Sequence, residues 1–477
     1  MRSNVAFPAA LAVLLCCGPH IVLGACNFAK TTINTSPGFD IVVSDNYKVL
    51  NDTTANIAYG LYCDSQPENI NGVTRWFKVP VASVGTRIPV ASGFLEALGQ
   101  RAKLVAAEFP ANLTNICIDK SKVKTLEGND TSISVVFSNS ASSDGPKSVR
   151  LPSDDSLAPL QKAEWIKFVA AFLNLEEQAS TLFDSISAAY TCHAGNMRYL
   201  KRAPHAYWVE YTESPTTYQI ITSAYQKNLL ASAGATNAST NGLADNTNVA
   251  AFQAAVKDAD FVFDQTLLKK FGQRITEWYS DFGYKDPQNQ DVSFLTQRNI
   301  WRTDKYTSTS GVSNYPEFAY VRPDLVLQDL ISVLEPTYNK AHALRWLFRL
   351  GGTTEDTTVI GASNYDCAKP WMSVVDKCTA RKDFYGGDVD EDASSATSPG
   401  SISDNKDDGS TDGNDRGGSN SGRAGKIAGG VIGGIAIIAL AVVATHYYNR
   451  HRRCVRTRAL SESAFGSESI GLRNTRH

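Results

Sequence analysis

The sequence of 477 residues predicts an α/β fold of two Rossmann-like lobes joined by a long rigid helix, with a single transmembrane helix near the C-terminus. Strand-like and helix-like segments alternate before residue 155 and again after residue 191, which is typical of lobes built on mostly parallel sheets. Between them, residues 156–191 place apolar side chains at helical spacing. Near the end of the chain the uncharged run "IAGGVIGGIAIIALAVVAT" is close to the roughly 20 residues that cross a bilayer.

The N-terminal lobe is predicted over residues 25–155. Within it, "VASVGTRIPVASGFLEALG" (82–99) indicates a strand, a turn and a helix that is capped near Ser92 and ended by Gly99. Further strands are expected at "KLVAA" and "ISVVFS". Ligands of open α/β sheets bind beyond the carboxyl ends of the strands, and Arg87 lies in the turn after the first strand. We therefore expect Arg87 to contact a ligand, with a solvated surface arginine as the alternative.

The bridging helix is predicted over residues 156–191, with Asp155 or Ser156 as its cap. At 1.5 Å per residue, a helix of about 20 residues already spans about 30 Å, the width of a small domain. A helix of this length can act as a stiff rod between two lobes.

The C-terminal lobe is predicted over residues 192–380. Its segments "HAYWVEY" and "DFVFD" indicate strands, and "SAYQKNLLASAGA" and "NVAAFQAAVKDA" indicate helices. The segment "YVRPDLVLQDLISVLEP" (320–336) fits a helix better than a strand, because Asp329 breaks the two-residue alternation of a strand. Asp324 is expected to cap this helix after Pro323.

Both ends of the chain carry targeting patterns. Residues 1–24 are typical of a cleaved secretory signal peptide. Residues 381–425 are acidic and rich in Ser and Gly, so we expect a disordered stalk. A transmembrane helix at 426–446 and a cytoplasmic tail at 447–477 follow, because the basic "NRHRRCVRTR" lies directly after the span. These patterns predict a single-pass type I protein of the plasma membrane or an endomembrane, with an extracellular or lumenal N-terminal domain.

Glycines within the predicted span are spaced for helix pairing. Gly429 with Gly433, and Gly430 with Gly434, form GxxxG patterns. Such patterns can dimerise membrane helices, although glycine is also common filler there. The pattern therefore has two interpretations, a dimer formed through the span or glycines that have no specific partner.

Cysteines and sequons fit an oxidising, glycosylating compartment. Six cysteines outside the membrane predict up to three disulfides of open connectivity. They are Cys26, Cys63, Cys117, Cys192, Cys367 and Cys378. Five N-x-S/T sequons predict a glycoprotein, although such triplets also arise by chance. They begin at Asn34, Asn51, Asn112, Asn129 and Asn237.

Composition and motifs exclude several classes of function. The formal net charge of −2 gives no reason to expect nucleic acid as a partner. The sequence has no CxxC pair or HExxH motif for a metal, and no P-loop, dinucleotide-binding or nucleophile-elbow pattern. We expect no cofactor, no metal and no enzymatic activity. A carboxylate-based hydrolase, which has no sequence signature, is the least favoured alternative.

The segment "NIWRTDKYTSTSGVSNYPEFAYVRPD" (299–324) is long for a simple connection and rich in charged and aromatic residues. The ligand-contact candidates in it are Trp301, Arg302, Glu317, Tyr320 and Arg322. The two arginines suit a carboxylate or the oxygen-rich shell of a chelate. The alternative is a salt-bridged surface loop in which Glu317 pairs with an arginine.

Three more aromatic residues could line a pocket for a large ligand. Trp208 and Tyr211 lie in the predicted strand "HAYWVEY", and Tyr225 opens the helix that follows. Core packing explains Trp208 equally well.

Five segments, in this order and spacing, resemble class III periplasmic substrate-binding proteins, the ferric-siderophore and cobalamin type served by ABC transporters. They are residues 82–99, 157–183, 223–235, 258–264 and 322–336. The chain is similar in particular to membrane-anchored eukaryotic relatives of that family. Glu164 and Trp165 match the family pattern on the bridging helix, and we expect structural roles for both.

The resemblance implies a cleft between two lobes that captures a small molecule, such as a ferric siderophore or a similar chelate. The expected function is that of a membrane-anchored extracellular solute-binding receptor. The chain departs from the bacterial proteins in having its own membrane span and stalk, so an ABC transporter partner does not follow. The alternative is an adhesion or signalling ectodomain that retains the fold without binding a small molecule.

Overall fold

Two mainly parallel sheets and a four-stranded sheet form the framework of the described residues, and a two-stranded parallel sheet, β15-β17, lies apart from them in the pairing order. The computed structural model describes residues 28–128, 130–142, 145–153, 155–237, 245–266, 274–285, 291–352, 357–361, 366–382 and 384–386. The strands are β1 (Phe39–Val43), β2 (Tyr47–Asp52), β3 (Ile57–Tyr62), β4 (Val73–Lys78), β5 (Val84–Thr86), β6 (Leu104–Ala107), β7 (Lys124–Thr125), β8 (Val135–Ser138), β9 (Ser148–Arg150), β10 (His205–Glu213), β11 (Thr216–Ile220), β12 (Thr236–Asn237), β13 (Phe261–Asp264), β14 (Ile300–Arg302), β15 (Tyr306–Thr307), β16 (Phe348–Leu350) and β17 (Thr358–Val359). The helices are α1 (Pro89–Ala97), α2 (Pro159–Ala163), α3 (Trp165–Ala171), α4 (Glu176–Asn196), α5 (Ala224–Ser232), α6 (Val249–Ala255), α7 (Ile275–Asp281), α8 (Ser293–Thr296), α9 (Tyr315–Phe318) and α10 (Pro323–Leu334). The mixed α/β class predicted from the sequence is confirmed.

A four-stranded sheet in the order β1-β2-β3-β4 precedes the first parallel sheet and was not predicted from the sequence. The pairs β1–β2 and β2–β3 are antiparallel, and β3–β4 is parallel. The ring of Phe39 in β1 lies 4.7 Å from the ring of Trp165 and 5.4 Å from that of Phe168, both in α3. The small sheet therefore covers α3 and adds to its burial.

The first parallel sheet has the order β7-β6-β5-β8-β9, and each of its pairings is parallel. All four residues of β8 are buried. Parallel strands covered on both faces carry apolar runs of this kind, which is why "ISVVFS" predicted a strand. This sheet, α1 and the segments that connect them are called the N-terminal half below.

The second sheet has the order β11-β10-β13-β14-β16, with β12 beside β10. Its pairs β10–β13 and β13–β14 are parallel, and the outer strands β11 and β16 pair antiparallel. The predicted strands "HAYWVEY" and "DFVFD" correspond to β10 and β13. This sheet with α5 to α10 is called the C-terminal half.

One continuous apolar core joins the two halves. It contains Val84 and Val135 of the first sheet, Trp208 and Phe263 of the second, and the buried side of α10. A second cluster covers the other face of the C-terminal sheet around Trp278. The described residues all belong to one compact unit, in which both sheets share a hydrophobic interior.

The segment predicted as one helix over 156–191 consists of α2, α3 and α4. Helix α3 ends where Asn174 adopts a left-handed φ of 56°, and the backbone N of Leu175 donates to the carbonyl of Ala170 at 3.1 Å. This 6→1 bond is a common way to close a helix, and asparagine tolerates the left-handed conformation. Apolar spacing alone did not reveal the stop, because the stop depends on one asparagine.

Helix α10 confirms the helical interpretation of residues 320–336 but starts differently from the prediction. Pro323 is the first helical residue, so Arg322 is the N-cap and Asp324 already lies inside the first turn. Proline favours this first position because its missing N–H is not needed there. Asp324 instead pairs with Arg322.

Glu164, between α2 and α3, fixes the first described segment of the chain. Its Oε1 accepts from the backbone N of Asn34, and its Oε2 accepts from the backbone N of Thr35 and Ser36, each at 2.7 Å. The ammonium of Lys167 donates to Oε1 at 3.0 Å. Burial alone would raise the pKa of Glu164, but these hydrogen bonds lower it overall. The expected structural role of Glu164 agrees with these contacts.

The C-terminal strap, residues 366–382 and 384–386, is fastened by two disulfides. Cys117, in the N-terminal half, is bonded to Cys367, and Cys192 of α4 is bonded to Cys378. Both pairs come from the cysteines predicted to be oxidised. They close chain segments of 250 and 186 residues, so each strongly limits the unfolded chain.

Hydrogen bonds hold the strap between and beyond these disulfides. The buried guanidinium of Arg322 donates to the carbonyls of Met372 at 3.0 Å and Val374 at 2.6 Å. Further on, the carbonyl of Tyr385 accepts from the backbone N of Lys201 at 3.0 Å. The folded contacts therefore continue beyond residue 380, where the stalk was expected to begin.

Several expected features lie outside the described residues. These are the signal peptide, the stalk beyond residue 386, the transmembrane helix and the tail. Among the described residues, none of the helices combines the length and apolar character that a bilayer span requires. Cys63 is also disulfide-bonded, and Cys26 lies outside the described residues.

Replacing Glu164 tests its role in fixing residues 34–36 to the start of α3. Because folding lowers its pKa, its contribution to stability is present above the ordinary carboxyl pKa and is lost as the pH falls through the lowered value. We expect Glu164→Gln to reduce the free energy of unfolding by about 2 kcal/mol at neutral pH, and by less in acid, because an amide cannot accept all of these bonds. Urea unfolding at both pH values measures this. The exposed Glu177 supplies a matched control, and equal losses for Glu177→Gln would contradict the assignment.

Removing the second strap disulfide should destabilise the protein. The double substitution Cys192→Ser with Cys378→Ser is expected to lower the free energy of unfolding by about 2–4 kcal/mol, because the unfolded chain regains the freedom of a long loop. Urea unfolding without reductant measures this. The same substitutions at Cys117 and Cys367 provide the comparison. Unchanged unfolding in both double variants would show that the strap contributes nothing to the stability of the fold.

Candidate functional site

A cavity of about 260 Å³ opens at the carboxyl ends of β5 and β6. The N-terminal half supplies residues 86–89, 107–109, 112 and 113, and the C-terminal half supplies 312, 313, 316 and 317. Most of these side chains are apolar, including Ile88, Leu113 and Val312. Open α/β folds place ligands at this edge of a parallel sheet. Both halves of the protein thus contribute to one small, mainly apolar site.

Charged and aromatic side chains mark the rim of this cavity. The guanidinium of Arg87 lies 3.4 Å from a carboxylate oxygen of Glu108, and their side chains are 20% and 38% exposed. An ion pair this exposed contributes at most about 1 kcal/mol, so a ligand group can compete with it. Phe109 is 62% exposed beside the pair. The rim therefore offers a cation, an anion and an aromatic surface.

Glu317, at the start of the segment that leads into α10, forms the inner wall of the cavity. Its side chain is buried, and its Oε1 accepts from the Ser92 hydroxyl at 2.5 Å. Its Oε2 accepts from the backbone N of Thr114 at 2.6 Å and also from the Thr114 hydroxyl. Burial raises the pKa of Glu317, and these hydrogen bonds offset only part of the effect. The carboxyl group joins the two halves at the cavity.

The helices on either side of this carboxyl group approach each other closely. A Cβ atom at Gly93 of α1 would lie 2.0 Å from the backbone oxygen of Glu317 in α9. No side chain fits at that distance, so glycine is required for the contact. The inner wall of the cavity is consequently built on a rigid junction of backbone against backbone.

Arg87 and Glu317 are the two predicted ligand residues that line this cavity. Arg302 lies elsewhere, in the core at the end of β14, where it is 0% exposed. Its Nε and Nη2 donate to the two oxygens of Asp304 at 3.0 and 3.1 Å, and its Nη1 pairs with Asp264. Burial alone would lower the pKa of Arg302, but the two carboxylates raise it. The guanidinium of Arg302 is therefore already bonded to carboxylates of the protein itself.

Arg322 is engaged in the same way. Its Nε and Nη2 donate to the two oxygens of Asp324 at 2.8 and 2.7 Å, and both side chains are 0% exposed. Its remaining Nη1 donates to the strap, as described above. This arginine fastens the C-terminal strap to α10 and does not face the cavity lining.

The aromatic candidates lie mainly in the core. The ring of Trp208 lies 5.3 Å from that of Phe263 at an interplanar angle of 37°, and its indole N–H has no hydrogen-bond partner among the described residues. Trp301 is partly buried against the main core. Tyr211 packs 5.6 Å from the ring of Tyr218 in the outer cluster of the C-terminal half. Packing explains the burial of these rings.

Tyr225 and Tyr320 belong to a polar network that sequence reasoning missed. Their rings meet at 4.9 Å, and the ammonium of Lys162 lies 3.3 Å from the centre of the Tyr320 ring. Lys162 donates to Asp155 at 3.0 Å, and Gln226 donates to the other oxygen of Asp155 at 2.6 Å. Burial and the Asp155 carboxylate raise the pKa of Tyr320. Sequence offered no signal for this cluster, because it joins residues 155 and 162 to residues 225, 226 and 320.

A larger groove of about 850 Å³ lies between α4 and the strap. It is lined on the helix by residues such as Thr181 and Ser185, whose hydroxyls donate to carbonyls of the same helix. It lies away from the carboxyl ends of both sheets. The smaller cavity therefore has the better position for a ligand of this fold.

The described residues contain no group of three or more His, Cys, Asp or Glu side chains arranged to hold a metal ion. The predicted sequons differ in exposure. Asn34 and Asn112 are exposed, and Asn51 is half-buried in β2. Asn129 and the side chain of Asn237 lie outside the described part of the chain.

Solved structures of periplasmic binding proteins are similar to this chain. One from Veillonella parvula has 14% identity and a TM-score of 0.40, over 63% of this chain and 98% of that chain. Periplasmic heme-binding proteins of Vibrio cholerae and Pseudomonas aeruginosa have 12% and 14% identity, both with TM-scores of 0.40. These matches cover 53% and 59% of this chain, and 98% and 100% of the other chains. No family model and no curated protein sequence matches.

Substituting Glu317 tests the junction between the halves. Because folding raises its pKa, its contribution to stability is present at low pH and is lost as the pH rises through the raised value. We expect Glu317→Gln to match the wild type in acid and to exceed its stability by about 1 kcal/mol at alkaline pH, because the amide carries no buried charge. Urea unfolding across the pH range measures the difference.

Two further variants complete this test. Glu317→Ala should lose about 2 kcal/mol at every pH, because it leaves the buried donors of Ser92 and Thr114 without an acceptor. Glu108→Gln, at the exposed rim, should leave the pH profile unchanged. If the free energy of unfolding of Glu317→Gln depended on pH as that of the wild type does, the assignment of a raised pKa to Glu317 would be contradicted.

Proposed function

We propose that this protein is a membrane-anchored extracellular solute-binding receptor that captures a small molecule in the cavity between its two halves. The observation that carries the proposal is the position of the cavity. It lies at the carboxyl ends of parallel strands, and both halves contribute to its lining. The proposed activity is binding, and no catalytic step is assigned.

The shape of the cavity favours a small, amphipathic solute. Its volume of about 260 Å³ lies below the roughly 300–1,000 Å³ of drug-sized ligand pockets. The walls suit an apolar body, and Arg87 at the rim suits one anionic group. Ligand capture would rest on side-chain movement at the rim, where Phe109 and the Arg87–Glu108 pair are partly exposed.

The sequence resemblance suggested a ferric siderophore or similar chelate as ligand. Such a molecule is larger than this cavity and would require the rim to widen. Arg302 and Arg322, the arginines expected to hold it, are occupied by carboxylates of the protein. A smaller solute therefore suits the described cavity better, and a chelate is the second choice of ligand.

The membrane anchor and the compartment are part of the proposal. The signal peptide, the apolar span and the basic tail of the sequence support a type I protein of the plasma membrane or an endomembrane. The disulfides Cys117–Cys367 and Cys192–Cys378 fit an oxidising compartment. The GxxxG patterns fit a dimer formed through the span.

An adhesion or signalling ectodomain without a small-molecule ligand is the second candidate function. The observation that favours this function is that several side chains predicted to bind a ligand are instead buried and bonded to other parts of the protein. Arg302, Arg322 and Tyr225 all make their contacts within the protein. The two candidates differ in whether the cavity takes up a solute.

Blocking the cavity tests the proposed function. Native mass spectrometry of the protein purified from its cells should reveal a bound solute, and titration should detect binding of benzoate, salicylate or indole-3-acetate. Val312→Trp places an indole in the cavity, so we expect it to weaken binding by about tenfold or more. Isothermal calorimetry measures the affinity, with ferrichrome as the chelate for comparison.

The control for this test is Val42→Trp, at a residue that is 56% exposed on β1 and does not line the cavity. It should bind as the wild type does. A protein that carries no solute and binds none of the four compounds would contradict the receptor proposal and favour the adhesion or signalling ectodomain. Equal affinity in Val312→Trp and wild type would place the ligand elsewhere.

A further inference from the structure

Asn112 is an exposed sequon residue that also lines the cavity. It ends the single 3-10 turn Pro110–Asn112, and its backbone N donates to the carbonyl of Phe109 at 2.9 Å. Leu113, the next residue, is buried in the cavity wall. Any group attached to the Asn112 amide therefore begins at the edge of the opening, beside the exposed ring of Phe109.

The other sequon side chains that the structure describes are placed differently. Asn51 lies half-buried in β2, and its Nδ2 donates to Asp40 at 2.5 Å, so its amide is already engaged. Asn34 is exposed but does not line the cavity. Asn112 is thus the described sequon residue that is both exposed and part of the cavity lining.

We propose that Asn112 carries an N-linked glycan that covers the rim of the cavity and restricts it to small solutes. The inference rests on the function proposed above and on passage through the secretory pathway. A glycan is bulky and hydrophilic, so it would screen Phe109 from other proteins while leaving room for a small molecule. The glycan would therefore allow a small solute to enter the cavity while keeping other proteins from binding at its rim.

The glycan would be transferred to the Asn112 amide from an oligosaccharyl diphosphate. The Nδ2 of Asn112 forms a bond to the anomeric carbon of an oligosaccharyl diphosphate. The bond from that carbon to the diphosphate oxygen breaks, the diphosphate leaves with the electron pair, and one amide proton is released. Glycosylation of this kind uses the N-x-S/T triplet, which is Asn112, Leu113 and Thr114 here.

The structure also fixes when this transfer must occur. In the folded protein Thr114 is 2% exposed, and its hydroxyl donates to Glu317, a residue 203 positions later in the chain. An enzyme that reads the threonine cannot reach it after this contact forms. Modification of Asn112 therefore precedes the joining of the two halves at Glu317.

The experiment uses the full chain produced in a secreting eukaryotic cell. Peptide mass spectrometry after enzymatic deglycosylation, which converts a glycosylated Asn to Asp, measures occupancy at Asn112. Hydroxyl-radical footprinting then measures the oxidation of Phe109. We expect Asn112 to be occupied and the oxidation of Phe109 to rise by about threefold or more in Asn112→Gln, because the bulky glycan no longer covers the ring. Asn34→Gln is the matched control and should leave Phe109 unchanged.

Enzymatic deglycosylation of the folded wild type provides a second route that avoids any folding defect of the variant. It should raise Phe109 oxidation to the same level. An unoccupied Asn112, or equal oxidation with and without the glycan, would overturn the inference. Failure of every solute to bind, with the glycan present and Phe109 shielded, would instead count against the proposed receptor function alone.

Discussion

The carboxyl group of Glu317 makes the contact on which the geometry of the cavity depends. It accepts hydrogen bonds from Ser92 and Thr114 of the N-terminal half, while its own backbone meets Gly93 too closely for any side chain. A buried carboxyl group without these donors would be costly, and these donors without the carboxyl group would be unsatisfied. The same contact forms the inner wall of the cavity. The geometry of the site therefore depends on one of the contacts that join the two halves.

The buried residues Arg302 and Arg322 show why residue type alone was a poor guide to the ligand-binding residues. Each is followed two residues later by an aspartate, at Asp304 and Asp324, and each makes a two-pronged contact with it. This pairing satisfies a guanidinium inside the protein, where an unpaired one would be very costly. The Arg-x-Asp spacing is visible in the sequence and was the signal that could have favoured internal roles. An arginine without such a neighbour, Arg87, is the one that lines the cavity.

Local patterns predicted much of the fold, and distant contacts escaped them. Strands β8 and β13 and helix α10 follow from apolar runs and helical spacing, which depend on neighbours in sequence. The stop at Asn174 depends on a single backbone conformation, and the four-stranded sheet β1-β2-β3-β4 was missed although β2 alternates in burial. The cavity joins residues near 110 to residues near 315, and no local pattern encodes that meeting.

The halves of this protein are held together at several independent places, which limits how a ligand can enter. Glu317 joins them at the cavity, one hydrophobic core runs between the sheets, and the strap is bonded to the N-terminal half at Cys117 and to α4 at Cys192. Opening the halves would expose apolar core and break buried hydrogen bonds at once, so its cost is high. Rotation of side chains at the rim costs far less, because Phe109 is largely exposed and the Arg87–Glu108 pair is weak. For the proposed receptor, entry through the rim would select by size, and this favours a small solute over a bulky chelate.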